Sequence, residues 1–103
     1  IRKDAAYELE KIMVVMNDFP KLKIDIRSHT DSRQTAKYNN ALSERRAKAT
    51  KDWLVKKGIS ANRLTAKGYG ESQLVNHCTD GVKCSEAEHQ ENRRSEFVIV
   101  SME

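Results

Sequence analysis

Two apolar patterns open the chain and predict a helix followed by a strand. The helical stripe lies within Asp4–Asn17 and is formed by Leu9, Ile12, Met13 and Met16. Pro20 ends this helix, because the residue before a proline disfavours helical backbone. Leu22, Ile24 and Ile26 then alternate with charged residues, and this period of two predicts a half-buried strand.

The rest of the chain predicts a long helix and two further strands. A helix is expected over Tyr38–Lys57, with Gly58 as its C-terminal cap. Arg63–Tyr69 is expected to be a short strand and Glu96–Met102 a strongly β-prone final strand. A polar excursion separates these two strands, and part of Ser85–Asn92 within it is expected to be helical.

This order of elements indicates an α+β fold. A mixed sheet with helices packed on one face buries the apolar side of every predicted element. No linker or repeat divides residues 1–103, so we expect a single domain over the whole sequence. Because the chain starts directly on a helix, we also expect a strand before residue 1 to complete the sheet.

Composition narrows the classes of function. Lys and Arg outnumber Asp and Glu by 19 to 15, which gives a formal net charge of +4. This balance suits an anionic partner, but acidic residues are interspersed throughout, so composition alone favours a solvated mixed surface. Nucleic acid is poorly supported, because the basic residues are scattered and no stacking motif accompanies them. The sequence has no phosphate-binding glycine loop and no convincing catalytic constellation, so we expect neither a cofactor nor an enzyme.

The two cysteines allow two interpretations. Cys78 and Cys84 enclose five residues that carry an Asp-Gly turn signal. A tight turn would bring the thiols close enough for a disulfide in an oxidising compartment. The rival interpretation is a metal site, since His77 and His89 flank the pair. No standard zinc spacing is present, so we expect the disulfide and no metal.

Two charged residues are candidates for a binding site. On a helical wheel, Arg46 falls near the middle of an apolar arc formed by Leu42, Ala49, Thr50, Trp53 and Leu54. A guanidinium there either makes a structural ion pair, reaches past the stripe to water, or meets an anion in a pocket. Asp31, just after the first strand, either caps a turn or binds a ligand. Together the two side chains would recognise an ammonium beside a carboxylate.

Several spaced motifs resemble the signature of the OmpA-like C-terminal domain family. His29-Thr30-Asp31, then Asn39, then Leu42–Ala47 match its HTD, N and L-S-x-x-R-A elements in order and spacing. Further matches in the right order are Gly58-Ile59, Arg63-Leu64, Gly68–Glu71 and Asn92–Glu96. The resemblance therefore covers nearly the whole chain from Leu22 onward.

The resemblance implies a β/α/β/α/β sandwich that binds peptidoglycan without catalysis in the periplasm of Gram-negative bacteria. The implied ligand is the meso-diaminopimelate residue of the stem peptide. Asp31 and Arg46 match the family's central ligand contacts, and we assign Asp31 to the ligand ammonium and Arg46 to its carboxylate. The pocket wall is expected to contain Thr30, Asn39, Leu42 and Ser43, with Arg93 as a further basic residue near the site.

The sequence departs from the family pattern at three points. Gln34 stands where the family usually has a glycine shortly after HTD, which would alter the rim of the pocket. The family's usual first strand is not found in the sequence, so the pocket would lack the loop that follows it. The loop with Cys78 and Cys84 is an elaboration of some members only, and a disulfide there agrees with an oxidising periplasm.

Two functions remain open on this resemblance. The first is a wall anchor that tethers an outer-membrane protein or assembly to peptidoglycan, with a membrane-anchoring region upstream. The second is a periplasmic structural or interaction module of the same fold with weak or no wall binding. Flagellar stator proteins and lipoproteins carry similar domains and some dimerise, so a homodimer is also allowed. The intact Asp31 and Arg46 favour the wall anchor.

Overall fold

A three-stranded mixed sheet organises the chain, which confirms the predicted α+β fold. The computed structural model describes the backbone of residues 3–102 and the side chains of residues 6–102. The strands are β1 (Lys23–Ser28), β2 (Leu64–Gly68) and β3 (Ser95–Ser101), in the order β2-β1-β3. β1 lies in the centre, parallel to β2 and antiparallel to β3. The strand expected before residue 1 falls outside the described residues.

The helices are α1 (Lys3–Asp18), α2 (Ala36–Lys56) and α3 (Glu86–Asn92), and a short 3-10 helix precedes β2 at Ala61–Arg63. α2 begins before its predicted start because the Thr35 hydroxyl accepts a hydrogen bond from a backbone N–H of the first turn. None of the helices within residues 3–102 combines the length and the apolar character that crossing a membrane requires.

The hydrophobic core lies between the sheet and the first two helices. From β1 it takes Ile24 and Ile26, which alternate with the half-buried Asp25 and Arg27, so the predicted period of two is confirmed. Burying one such aliphatic side chain completely contributes about 1.5–3 kcal/mol. The other buried members of the core are Leu9, Met16, Leu22, Leu54, Ile59 and Leu64.

α2 packs directly against the end of β2, and two glycines permit this approach. A Cβ on Gly68 would overlap the backbone of Ser43 and Glu44, and a Cβ on Gly70 would overlap the Asn40 side chain. The Glu44 carboxylate also accepts a hydrogen bond from the Gly68 N–H (2.9 Å). The first half of α2 is therefore fixed beside the ends of β1 and β2.

The buried face of α2 differs from the one that the helical wheel predicted. Arg46 is exposed, so the prediction that it lies inside a core-facing stripe is wrong. The true buried arc is centred about 60° around the helix from Arg46. Its small polar members hydrogen-bond the loops that pack on the helix, and these bonds decide which face turns inward. The buried residues of α2 are Asn39, Ser43, Ala47 and Leu54.

Candidate functional site

The loop that follows β1 is held from three sides. The His29 N–H donates to a carbonyl just before β3 (2.8 Å), and the Thr30 N–H donates to a carbonyl just after β2 (2.9 Å). From α2, the Asn39 side-chain amide donates to the carbonyls of Asp31 (3.2 Å) and Arg33 (2.9 Å). This loop therefore has a fixed backbone, which is what a binding site on a loop requires.

A cavity of about 260 Å³ opens beside this loop. Every residue predicted for ligand binding lines the cavity except Ser43. Arg33, Gln34 and Tyr38 also line it and were not predicted. Tyr38 lies one helical turn before Leu42, so helical spacing could have identified it, whereas nothing in the pattern marked Arg33. The full lining is Thr30, Asp31, Arg33, Gln34, Tyr38, Asn39, Leu42, Arg46 and Arg93.

The Asp31 carboxylate is already paired within the protein. Its Oδ2 accepts from Arg33 Nη2 (2.8 Å), Arg33 Nε (3.2 Å) and Arg93 Nη1 (2.9 Å). Its Oδ1 accepts from the Arg33 backbone N–H (2.9 Å). Glu86, at the start of α3, pairs with both guanidinium groups. The Arg33 side chain is 44% exposed and that of Asp31 only 8%, so Arg33 is the part of this cluster that a ligand can displace.

These contacts fix the charge of the cavity. Burial alone would raise the pKa of Asp31, but hydrogen bonds from the side chain and backbone of Arg33 and from Arg93 outweigh it, and the pKa lies below its ordinary value. Asp31 is therefore a carboxylate at neutral pH. Three arginines and one carboxylate line the cavity, which consequently favours a ligand that carries at least one negative charge.

Arg46 and Ser43 stand in different surroundings. Arg46 lines the cavity, and no ion pair or side-chain hydrogen bond of its guanidinium occurs within residues 3–102. Ser43, which was expected in the cavity wall, is fully buried and does not line the cavity. Its hydroxyl donates to the Asn40 carbonyl (3.0 Å) and accepts from the Gly70 N–H (2.9 Å). Ser43 therefore supports the site from beneath, while Arg46 is available to an anion.

Gln34 has a backbone conformation that suits glycine. Its φ is 78°, and among residues 3–102 it is the only non-glycine residue with a positive φ. Such a conformation costs a side-chain-bearing residue of the order of 1 kcal/mol or more. Although glutamine replaces the family's usual glycine here, the backbone at this position still adopts a left-handed turn.

Glu71 lies close to the site and has an unusual protonation equilibrium. Burial, together with a hydrogen bond to Asp80 and the charge of Asp80, raises the pKa of Glu71 to about 7. Its Oε1 is buried without a hydrogen-bond partner among the described residues. A protonated Glu71 can donate to Asp80, which belongs to the loop between the cysteines. No pattern in the sequence had marked this pair.

The loop between the cysteines contains the predicted disulfide. Cys78 and Cys84 are bonded, and their Cα atoms lie 6.1 Å apart. Of the two histidines weighed as metal ligands, His89 is buried in α3 and stands apart from the donors around the disulfide. Within residues 3–102, the group of side chains that could hold a metal ion is His77, Cys78, Cys84 and Glu88. While the disulfide is intact, neither sulfur is a thiolate, the form that binds metals.

Relatives of known sequence cover almost the whole chain. The OmpA family matches residues 1–88. A peptidoglycan-associated lipoprotein of Rhizobium meliloti (strain 1021) is 37% identical over 99 residues, which are 96% of this chain and 53% of that protein. A protein of Gloeobacter violaceus named photosystem I P700 chlorophyll a apoprotein A2 is 42% identical over 101 residues, which are 96% of this chain and 12% of that protein. The chain thus spans about half of the first relative's length and much less of the second's.

Solved structures show the same fold. The peptidoglycan-associated lipoprotein from Burkholderia pseudomallei superposes with a TM-score of 0.84 at 26% identity, over 96% of this chain and 80% of that one. The cell wall anchor of the T6SS from Pseudomonas aeruginosa superposes with a TM-score of 0.76 at 27% identity, over 94% of this chain and 66% of that one. The family match, the relatives and the shared mixed sheet lead to one conclusion: this chain belongs to the OmpA family.

Proposed function

We propose that this chain is a non-catalytic module that binds peptidoglycan through the free end of the diaminopimelate residue in the stem peptide. The observation that carries the proposal is one cavity lined by both Asp31 and the unpaired guanidinium of Arg46. A carboxylate and a guanidinium together are complementary to the ammonium and carboxylate of a zwitterion. A relative named for its association with peptidoglycan and a similar structure named a cell wall anchor support the proposal.

Each charged residue has a separate part in this proposal. Arg46 binds the ligand carboxylate with its planar fork, which no other described side chain engages. Asp31 binds the ligand ammonium, and Arg33 swings outward to make room. Arg93 stays in place, because its side chain is 23% exposed compared with 44% for Arg33. Thr30, Asn39 and Leu42 form the wall.

The proposal includes a place in the cell. A periplasmic module tethered to the outer membrane by a region upstream would hold an outer-membrane protein or assembly to the wall. The Cys78–Cys84 disulfide supports this location, because disulfides persist in oxidising compartments such as the periplasm. The lipoprotein among the relatives supports the tether.

An interaction module with weak or no wall binding is the second candidate function. The occupied state of Asp31 favours it, because Arg33 and Arg93 already fill the positions that a ligand ammonium would take. If displacing Arg33 costs more free energy than the ammonium returns, the cavity stays closed to zwitterions. The two candidates therefore differ in a measurable affinity.

Calorimetric titration with three stem peptides separates the two candidates. The first peptide carries meso-diaminopimelate, the second carries lysine at that position, and the third carries diaminopimelate with its side-chain amine acetylated. Lysine keeps the ammonium and lacks the terminal carboxylate, whereas acetylation removes the ammonium charge. We expect each change to weaken binding at least about tenfold, which corresponds to about 1.4 kcal/mol.

Two variants assign the contacts. Arg46→Gln is expected to erase the preference for diaminopimelate over lysine, and Asp31→Asn the preference for the free amine over the acetylated one. Arg45→Gln is the matched control, because Arg45 is exposed on the same helix and does not line the cavity. Equal affinity for the three peptides, or no binding by the folded chain, would favour the interaction module.

A further inference from the structure

Four side chains around the cysteine loop are of the kinds that bind zinc. The Nε2 atom of His77 lies 3.9 Å from the Sγ of Cys84 and 3.5 Å from the Oε2 of Glu88. With Cys78 included, the donor atoms all lie within 4.8 Å of one another. In a tetrahedral zinc site, Zn–S of about 2.3 Å and Zn–N or Zn–O of about 2.0–2.2 Å place neighbouring donors roughly 3.4–3.8 Å apart. The two distances from His77 already come close to these values.

A helix cap holds the carboxylate of this cluster in place. The Oε1 of Glu88 accepts a hydrogen bond from the Ser85 N–H (3.0 Å), and the Ser85 hydroxyl accepts one from the Glu88 N–H (3.2 Å). This capping box restricts the Glu88 side chain and leaves its Oε2 facing His77. The carboxylate can therefore bind a metal ion without giving up its structural role.

A second set of hydrogen bonds ties the start of the loop to α3. The Asn76 Oδ1 accepts from the Cys78 N–H (3.1 Å) and from the side-chain amide of Asn92 (2.8 Å). The Asn76 amide donates to the Glu88 carbonyl (2.8 Å). By contrast, residues 79–83 are all exposed. The cysteine loop is thus anchored to α3 at both ends, by Asn76 before Cys78 and by the capping box of Ser85 after Cys84, and its exposed middle is left to move.

We propose that reduction of the disulfide turns this loop into a zinc site formed by His77, Cys78, Cys84 and Glu88. A dithiol reductant attacks the sulfur of Cys84, which is less buried than that of Cys78, and Cys78 leaves as its thiolate. The second thiol of the reductant then releases Cys84, which gives two cysteine thiols and the disulfide of the reductant. Zn²⁺ binds both sulfurs as thiolates, and two protons are released.

Converting the disulfide into the zinc site requires only a small movement of the two sulfur atoms. The two sulfurs must move from bonding distance to roughly 3.8 Å apart, the separation that Zn–S bonds of about 2.3 Å impose. Residues 79–83 can take up this movement, and Gly81 lies at their centre with a φ of 79°. Cys78 is buried, but neither cysteine belongs to the hydrophobic core cluster between the sheet and the first two helices.

Co²⁺ is the probe that tests the proposal, because tetrahedral thiolate coordination gives it a visible absorption and a sulfur-to-metal charge-transfer band. The 103-residue chain is reduced, freed of reductant under nitrogen and titrated. We expect one Co²⁺ per chain with both features, displacement by Zn²⁺, and neither feature in the oxidised chain. Equal spectra from the oxidised and reduced chains, or no bands from the reduced chain, would overturn the proposal.

Two variants test the other ligands. His77→Ala and Glu88→Gln are each expected to weaken Co²⁺ binding to the reduced chain at least about tenfold, and glutamine at 88 can keep the capping box. Glu91→Gln on the same helix is the control and should leave Co²⁺ binding unchanged. Circular dichroism monitors folding throughout. Variants that bind as the unmodified chain does, or a reduced chain that unfolds and is not restored by Zn²⁺, would also rule the site out.

Discussion

Arg33 holds the carboxylate of Asp31 with two nitrogens of its guanidinium, at 2.8 and 3.2 Å, although the two residues are only two positions apart in one loop. In the proposed function Arg33 stands where the ligand ammonium must bind. We therefore expect Arg33→Ala to tighten binding of the diaminopimelate peptide about three- to tenfold, or roughly 0.6 kcal/mol to 1.4 kcal/mol. Calorimetric titration measures this change directly.

The control for Arg33→Ala is Lys37→Ala, which also removes an exposed positive charge near the loop but does not line the cavity. Its affinity should stay within a factor of about two, since exposed charges at this distance are screened by salt. Weaker binding by Arg33→Ala would contradict the competition and would mean that Arg33 helps to hold the ligand carboxylate.

Gln34→Gly is expected to stabilise the protein. The φ of 78° at this residue suits glycine and strains other residues, although glycine also gives the unfolded chain more freedom. The net gain should be about 0.5–1 kcal/mol in the free energy of unfolding, measured by urea titration. Gln73→Gly, at a loop position that does not have a positive φ, is the matched control and should lower stability instead. A loss at both positions would show that the left-handed turn stores no strain.

Gly68→Ala is expected to lower the free energy of unfolding by about 3 kcal/mol or more, because the added Cβ would overlap backbone atoms of Ser43 and Glu44. Gly58→Ala meets no atom within 4 Å but has a φ of 110°. Gly58→Ala should therefore lower the free energy of unfolding by only about 1–2 kcal/mol, because it strains the backbone but causes no steric overlap. Thermal unfolding of both variants checks the order, and similar losses would argue against the close packing of α2 on β2.

Glu71→Gln is expected to change how stability depends on pH. The folded-state pKa of about 7 lies above the ordinary value of 4.5, so the folded chain binds more protons than the unfolded chain between these values. The contribution of Glu71 to the free energy of unfolding therefore falls as pH rises from about 4.5 to about 7, and then levels off. The variant should lack this decline and should be more stable than the unmodified chain at pH 8.

Comparing Glu71→Gln with the unmodified chain isolates the contribution of Glu71 to the pH dependence of stability. Burial lowers the pKa of His29, so His29 adds stability as pH rises in part of the same window, but it does so equally in both proteins. Glu10→Gln, an exposed site on α1, serves as a surface control. Parallel stability curves for Glu71→Gln and the unmodified chain between pH 4.5 and 8 would show that the carboxyl titrates normally.

Local spacing was enough to predict the elements of the fold. The alternation around Ile24 and Ile26 and the cap at Gly58 depend only on near neighbours in the sequence, and the structure confirms both. The inward face of α2 was not predictable in this way. It depends on Ser43 meeting Gly70, a contact between residues 27 positions apart, and no helical wheel contains that information.

In the candidate site, too, the sequence identified individual residues but not the contacts between residues that are distant in the sequence. The spaced motifs identified Asp31 and Arg46 without any structure, and both line the cavity. The pairing of Asp31 with Arg93 joins residues 62 positions apart, and the link from Arg33 to Glu86 joins residues 53 apart. Only the folded chain brings these side chains together, so the sequence could identify the charged residues but not their partners.

The central position of β1 makes the candidate cavity a product of the complete chain. Ile24 pairs with Leu64 on one side and with Ile99 on the other, which are 40 and 75 positions away in the sequence. Contacts of such high sequence separation form slowly, because the entropy of closing the intervening chain is lost before they return any free energy. Until β3 has docked, Arg93 is not beside Asp31. The candidate cavity is therefore expected to form only once β3 pairs with β1, late in folding.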